Sequence, residues 1–201
     1  MTMLDERPAT ARSNSQSRRA MIDSQLRVSG VNAPDVLAAM NAVAREDFVP
    51  AAMKANAYLD RAIALDDGGA IPAPLVHGRV LVEAAVQAGE KVLVISASGY
   101  LAALVKELGA EVTLVKPADA LDKKKSGPFS LILIDGAAEQ LPAFVAASLA
   151  ADGRVVTGTV TRGITRLAAG RKSADGVALL NLAEIGMPVI TEFAAPKQWS
   201  F

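Results

Sequence analysis

Residues 91–117, KVLVISASGYLAALVKELGAEVTLVKP, constrain the fold more than any other part of the chain. Residues 92–95 are a continuous apolar run, as a parallel strand buried on both faces requires. Residues 96–99 make a turn of small side chains, and residues 100–108 set Leu101, Leu104, Val105 and Leu108 on one helical face. Gly109 is placed to end that helix, and residues 112–115 supply a second apolar strand. The order predicts a βαβ unit whose first turn lies under a helix N-terminus, where nucleotide-like ligands bind. Yet this turn is poor in glycine, and the second strand ends in Lys116 rather than in an acid.

Other features narrow the class. Lys+Arg and Asp+Glu balance at 21 each, which is not the basic footprint of a nucleic-acid binder. No apolar run approaches the roughly 20 residues that span a bilayer, and the N-terminus lacks the apolar stretch of a secretory signal. Without cysteine there is no disulfide, thiol catalysis or thiolate metal site, and a single histidine excludes a multi-histidine metal centre. These features predict a cytoplasmic α/β protein with no metal, membrane or nucleic-acid partner.

Taken in order, residues 1–17 are polar, lack an apolar period and read as a disordered extension. Residues 18–201 then form one domain, with helices and a loop over 18–89 and the βαβ-based core over 90–201. Helices are predicted over 18–28, over 33–43 with Asn32 as cap, over 51–58 and over 75–88. Between them, the Gly-Gly and Pro residues of 65–74 demand a loop. Further strands are expected at 131–134, 153–158, 164–171 and 177–183, the last two joined by an Asp-Gly turn, with a helix over 139–149. The tail, with Trp199 and Phe201, is expected to pack on the sheet. This alternation indicates a mostly parallel, doubly wound sheet ending in an antiparallel hairpin.

Several linked stretches resemble the protein-L-isoaspartate O-methyltransferase family from about Arg18 onward. RRAMIDSQLRVSGV looks like the family's N-terminal helix, and VLAAMNAVAREDFVPAAMKANAYLDRAIAL like the elements that follow. GGAIPAP stands at the family's substrate loop, here Gly69, Ala70, Ile71 and Pro72. VLVISASGYLAALVKELGA stands at its first cofactor motif, and LILIDGAAEQLP and GRVV at its fourth and fifth strands. The resemblance implies a Rossmann-like fold that uses S-adenosylmethionine (SAM) to methylate the α-carboxyl of isoaspartyl residues in damaged proteins.

Four departures fall on that chemistry. A G-x-G-x-G turn is replaced by Ser96-Ala97-Ser98-Gly99, one residue shorter. The acid that accepts the ribose hydroxyls is replaced by Lys116, whose ammonium has no acceptor. Residues 118–128 are too few for the helix and edge strand that wall the adenine. The hydroxyls of the substrate loop are gone, because Ala70-Ile71-Pro72 stands there. The expectation is therefore a fold shortened by one helix and one edge strand. Ser96, Ser98, Gly99 and Asp135 remain as residual cofactor-site residues, with no catalytic residue and no cofactor. Such a chain would be a non-catalytic binding or interaction module, possibly a homodimer through the shortened sheet edge. The alternative is an active SAM-dependent isoaspartyl methyltransferase; a third reading is a remodelled crevice for another small molecule. His77 reads as a half-exposed helix-face residue, with a general base as the alternative, Asp135 as a turn or a ligand residue, and Asp66-Asp67 as a weak cation site.

Overall fold

The computed structural model describes residues 9–121, 127–174 and 176–196. Helix α1 (Ala9–Met21) widens into a π turn, Ile22–Leu26, tightens to a 3-10 turn, Arg27–Ser29, and stops at Gly30. Residues 9–17 thus belong to a helix and not to a disordered extension. Met21, Ile22 and Leu26 anchor its end in the core, and upstream turns then propagate on an existing nucleus. Helix α2 (Pro34–Ala42) carries proline at its first position. Asn32 does not cap it; Ala33 holds the cap position, and the Asp35 carboxylate takes the Val36 N–H at 2.9 Å.

Two 3-10 turns, Arg45–Asp47 and Ala51–Asn56, lead to the short antiparallel pair β1 (Ile63–Ala64) and β2 (Ala70–Ile71), which closes the loop between them. Helix α3 (Pro74–Ala84) ends four residues before the expected residue 88. Ala85 is left-handed at φ +46°, and the Arg154 guanidinium donates to the Ala84 carbonyl at 2.6 and 2.9 Å. A cation on unpaired terminal carbonyls is the arrangement a helix C-terminus favours.

The core follows as β3 (Lys91–Ile95), α4 (Tyr100–Glu107), β4 (Glu111–Val115), α5 (Pro117–Ala120), β5 (Phe129–Ala138), α6 (Ala143–Ser148), β6 (Leu149–Thr161), β7 (Ile164–Ser173) and β8 (Gly176–Glu184). They form one sheet in the order β4-β3-β5-β6-β7-β8. The first four strands are parallel, and β6, β7 and β8 run as an antiparallel meander. Strand periodicity splits the core in two. Val92, Val94, Leu131 and Leu133 pack toward α3 and α4, while Leu93, Ile95, Ile132 and Ile134 pack toward Val145 and Phe193.

Between β4 and β5 the described residues hold one helical turn, α5, and no strand. Strand β4 is consequently the edge of the sheet. Its Leu114 is 47% exposed, so the second apolar run forms a strand without the burial its composition suggests. Helix α6 is shorter than the predicted 139–149 because Pro142 occupies its cap. Thr191–Phe193 makes a turn that buries Phe193 beside Phe144. Trp199, Phe201, Lys123 to Lys125 and Asp175 lie outside the described residues. Among the described residues no helix is long and apolar enough to cross a membrane.

Candidate functional site

The C-terminal ends of β3, β4 and β5 open on a crevice of about 330 Å³, where parallel α/β sheets place their ligands. One wall is the loop between β1 and β2, through Asp67, Gly69 and Ala70; the turn after β3 contributes Ala97 and the end of β4 contributes Lys116. Asp135 and the segment Pro188 to Glu192 complete it.

The turn after β3 forms despite its missing glycines. Gly99, at φ +77°, is the one residue in it that takes a left-handed backbone, so the surviving glycine stands where a side chain would be strained. The serines supply the remaining bonds. Ser96 Oγ accepts the Gly99 N–H at 3.1 Å, and Ser98 Oγ accepts the Tyr100 N–H at 3.2 Å. The loop rests directly on this turn, since a Cβ on Gly69 would lie 2.5 Å from that of Ala97.

Of the expected cofactor-site residues, Ser96, Ser98, Gly99 and Asp135 are brought together: Ser96 Oγ donates to Asp135 Oδ2 at 2.6 Å and lies 3.5 Å from Ser98 Oγ. The loop residues divide. Gly69 and Ala70 face the crevice, whereas Ile71 is buried and the Pro72 carbonyl turns inward.

What that carbonyl meets was not legible in the sequence. Arg45, fully buried, donates to Pro72 O at 2.6 Å and to Ala57 O at 2.7 Å, and its Nη1 lies 3.3 Å from His77 Nδ1. His77 Nε2 in turn lies 2.9 Å from Asp135 Oδ1. His77 is therefore a buried member of a relay and not a half-exposed helix residue, and Asp135 is a buried strand residue and not a simple turn. Tyr100 seals the relay, edge-on to His77 at 5.1 Å and under the Arg45 guanidinium at 5.2 Å. Burial lowers the Arg45 guanidinium from its ordinary pKa, and burial pushes the Tyr100 phenol up to about 12.

At the opposite end, Lys116 Nζ pairs with Asp67 Oδ2 at 2.7 Å. Each holds the other in its charged form, the carboxyl below its ordinary value and the ammonium above it. Asp67 thus brings to the end of β4 the acceptor that Lys116 lacks. Among the described residues no group of three or more His, Cys, Asp or Glu side chains able to hold a metal includes the Asp66-Asp67 pair or occurs elsewhere. Behind the site, Glu46 pairs with Arg18 at 3.2 Å and accepts the Tyr58 hydroxyl. Burial would raise the Glu46 carboxyl, but these donors hold it below its ordinary value.

A parallel sheet with a crevice at its strand ends, a loop over the first turn and helices ahead of it define a Rossmann-like fold of the SAM-methyltransferase type. The family model for protein-L-isoaspartate(D-aspartate) O-methyltransferase matches residues 16–123. The protein-L-isoaspartate O-methyltransferase of Gloeobacter violaceus is 34% identical over 162 residues, covering 68% of this chain and 79% of its own. That of Methylorubrum populi is 29% identical over 165 residues, covering 70% and 78%. The chain belongs to the protein-L-isoaspartate O-methyltransferase family. A solved Plasmodium falciparum structure, a putative member in complex with S-adenosyl-L-homocysteine, superimposes with a TM-score of 0.69 at 16% identity, over 89% of this chain and 98% of its own. The family match ends at residue 123, beside the shortened β4–β5 connection.

Proposed function

We propose that this chain binds SAM in the crevice and methylates a carboxylate of a protein substrate, with isoaspartyl residues as the substrate class of its family. The observation that supports this reading is the pair of carboxylates at the two ends of one crevice. Asp67, beside Lys116, offers acceptors for the ribose hydroxyls, and Asp135, beside the Ser96–Gly99 turn, offers an anion to the methionine end. Bound SAM would supply a methyl group: a substrate carboxylate oxygen bonds to the methyl carbon as the S–CH3 bond breaks, and its electron pair stays on sulfur. The protein's own part is to orient and to exclude water. The loop over Ala97 and the buried Arg45 that holds its Pro72 carbonyl suit that part. Calorimetric titration with SAM is expected to show saturable binding, and labelled SAM to methylate an isoaspartyl peptide; absence of binding rejects the proposal.

A second reading, a non-catalytic binding module, is favoured by one observation. The Gly99 N–H, in the turn where the family's backbone approaches the cofactor, is already satisfied by Ser96. Under this reading the unpaired outer edge of β4 joins that of a second copy. Light scattering would then give a dimer mass, together with no SAM binding.

A further inference from the structure

We infer that a groove on the α3 side of β7 and β8 is the contact face of a two-fold dimer of this chain, in which Arg171 of each protomer pairs with the partner subunit's Glu83. The inference stands apart from the SAM reading. The groove lies where β6 begins, beside the start of β5, and the crevice lies at the opposite ends of the strands.

The two faces of the β7–β8 hairpin are finished differently. On one, Val177 and Leu179 pack with Val145 and Phe193. On the other, Leu180 lies across from Ala169 and is left 68% exposed, with Leu182 40% exposed. With Val156, Ala169 and Gly170 these leucines line a groove of about 300 Å³. A bulge supplies the second leucine: Asn181 pairs with Ala168 and Ala183 with Leu167, so Leu182 has no partner across the ladder. An extra residue in an edge strand twists it away from strand addition. The bulge therefore favours packing on this face over pairing along the β8 edge, and an apolar surface rimmed by charge is what association buries.

Charge selects the occupant. Glu83 borders the groove from α3 and Arg171 from β7, and both are exposed. Neither has an ion-pair partner among the described residues, and Arg171 donates only to the Asp152 carbonyl, at 3.4 Å. The third charge in the wall, Arg154, is already engaged by Glu90 at 2.6 Å. One unpaired acid and one unpaired base beside an apolar strip make a surface that is its own complement. After a two-fold rotation each meets the other, as an isologous contact requires. A partner of uniformly acidic or basic character would leave one of the two opposed by a like charge.

Sedimentation velocity of the full chain at rising concentration is expected to show a monomer–dimer equilibrium. Leu180→Glu, at an exposed site, is expected to keep the circular dichroism spectrum and to weaken the dimer about thirtyfold or more. Arg171→Glu and Glu83→Arg are each expected to weaken it about tenfold or more, because each sets like charges against one another. Mixing these two variants restores both opposite-charge pairs between subunits and is expected to return a dimer of near wild-type strength, which pairing within one chain cannot do. A wild type that stays monomeric at every accessible concentration overturns the inference. So does a dimer that survives Leu180→Glu, or a mixture of the two charge variants that stays monomeric. A dimer lost in Leu114→Glu and kept in Leu180→Glu overturns it in favour of the β4 edge. None of the groove residues lines the crevice, so SAM titration tests the catalytic reading separately.

Discussion

The two ends of the crevice are built differently. Toward β5, polar groups from three segments, with Arg45 and His77 separated by 32 residues and His77 and Asp135 by 58, meet in a buried relay against Tyr100 whose Asp135 end borders the crevice. Toward β4, the wall is an edge strand with an exposed leucine and a single ion pair, Lys116–Asp67, whose side chains are 60% and 48% exposed. The contrast separates a preorganised half from an adaptable one. Buried, fully bonded groups hold their geometry because leaving any of them unpaired is costly. An exposed ion pair holds little, because water competes for both partners. Shape at the β5 end is therefore set before a ligand arrives, while the β4 end has room to adjust.

Truncating Arg45 tests the contrast most severely. Arg45→Ala leaves the Ala57 and Pro72 carbonyls and His77 without their buried donor. It is expected to cost about 3–5 kcal/mol, read from the urea midpoint. A loss under about 1 kcal/mol would show that water replaces the guanidinium and that this half is not preorganised.

The hydrophobic version compares the two strands that flank β3. Leu133 on β5 is 0% exposed, and Leu133→Ala is expected to lose about 2–5 kcal/mol. Leu114 on β4 is 47% exposed, and Leu114→Ala is expected to lose less than about 1 kcal/mol. Equal losses would mean that β4 is covered in solution, as pairing with a second copy would cause.

Acid sharpens the comparison further. The Glu46 carboxyl lies below its ordinary value because Tyr58 and Arg18 outweigh the effect of burial. A depressed folded pKa stabilises fully above the unfolded value of about 4.3 and loses that contribution as pH falls through the folded one. Denaturation followed below about pH 4 should therefore be steeper for the wild type than for Glu46→Gln. Parallel curves would assign the acid transition to other carboxylates.

The smallest effect belongs to the open end. Lys116→Ala removes an exposed pair, and the melting temperature should stay at the wild-type value. A clear loss would mean that Asp67 and its loop depend on Lys116 and that the β4 end is also preorganised.

Much of this was legible in the chain. The βαβ unit is announced by its apolar runs, because strands buried on both faces leave no room for polar residues. The shortened β4–β5 connection follows from residue count alone, and the described residues there hold one helical turn and no strand. Other features were hidden. Polar composition masked the helical start of α1, because helix propagation depends on what the next turn is docked to. His77 looked half-exposed because its helix position carries no sign of the Arg45 that reaches it from another segment. Asp67 offered no sign that it would face Lys116, 49 residues away.

By itself the sequence determined the layered α/β plan, the family resemblance and the loss of acceptor, hydroxyl and glycine at particular positions, since each depends on residue type and local spacing. Tertiary structure decided which polar groups are buried together. Loop closure brought Arg45, His77, Asp135 and Ser96 into one relay and returned a carboxylate to the end of β4. Such juxtapositions depend on how distant segments pack, and local periodicity holds no record of them.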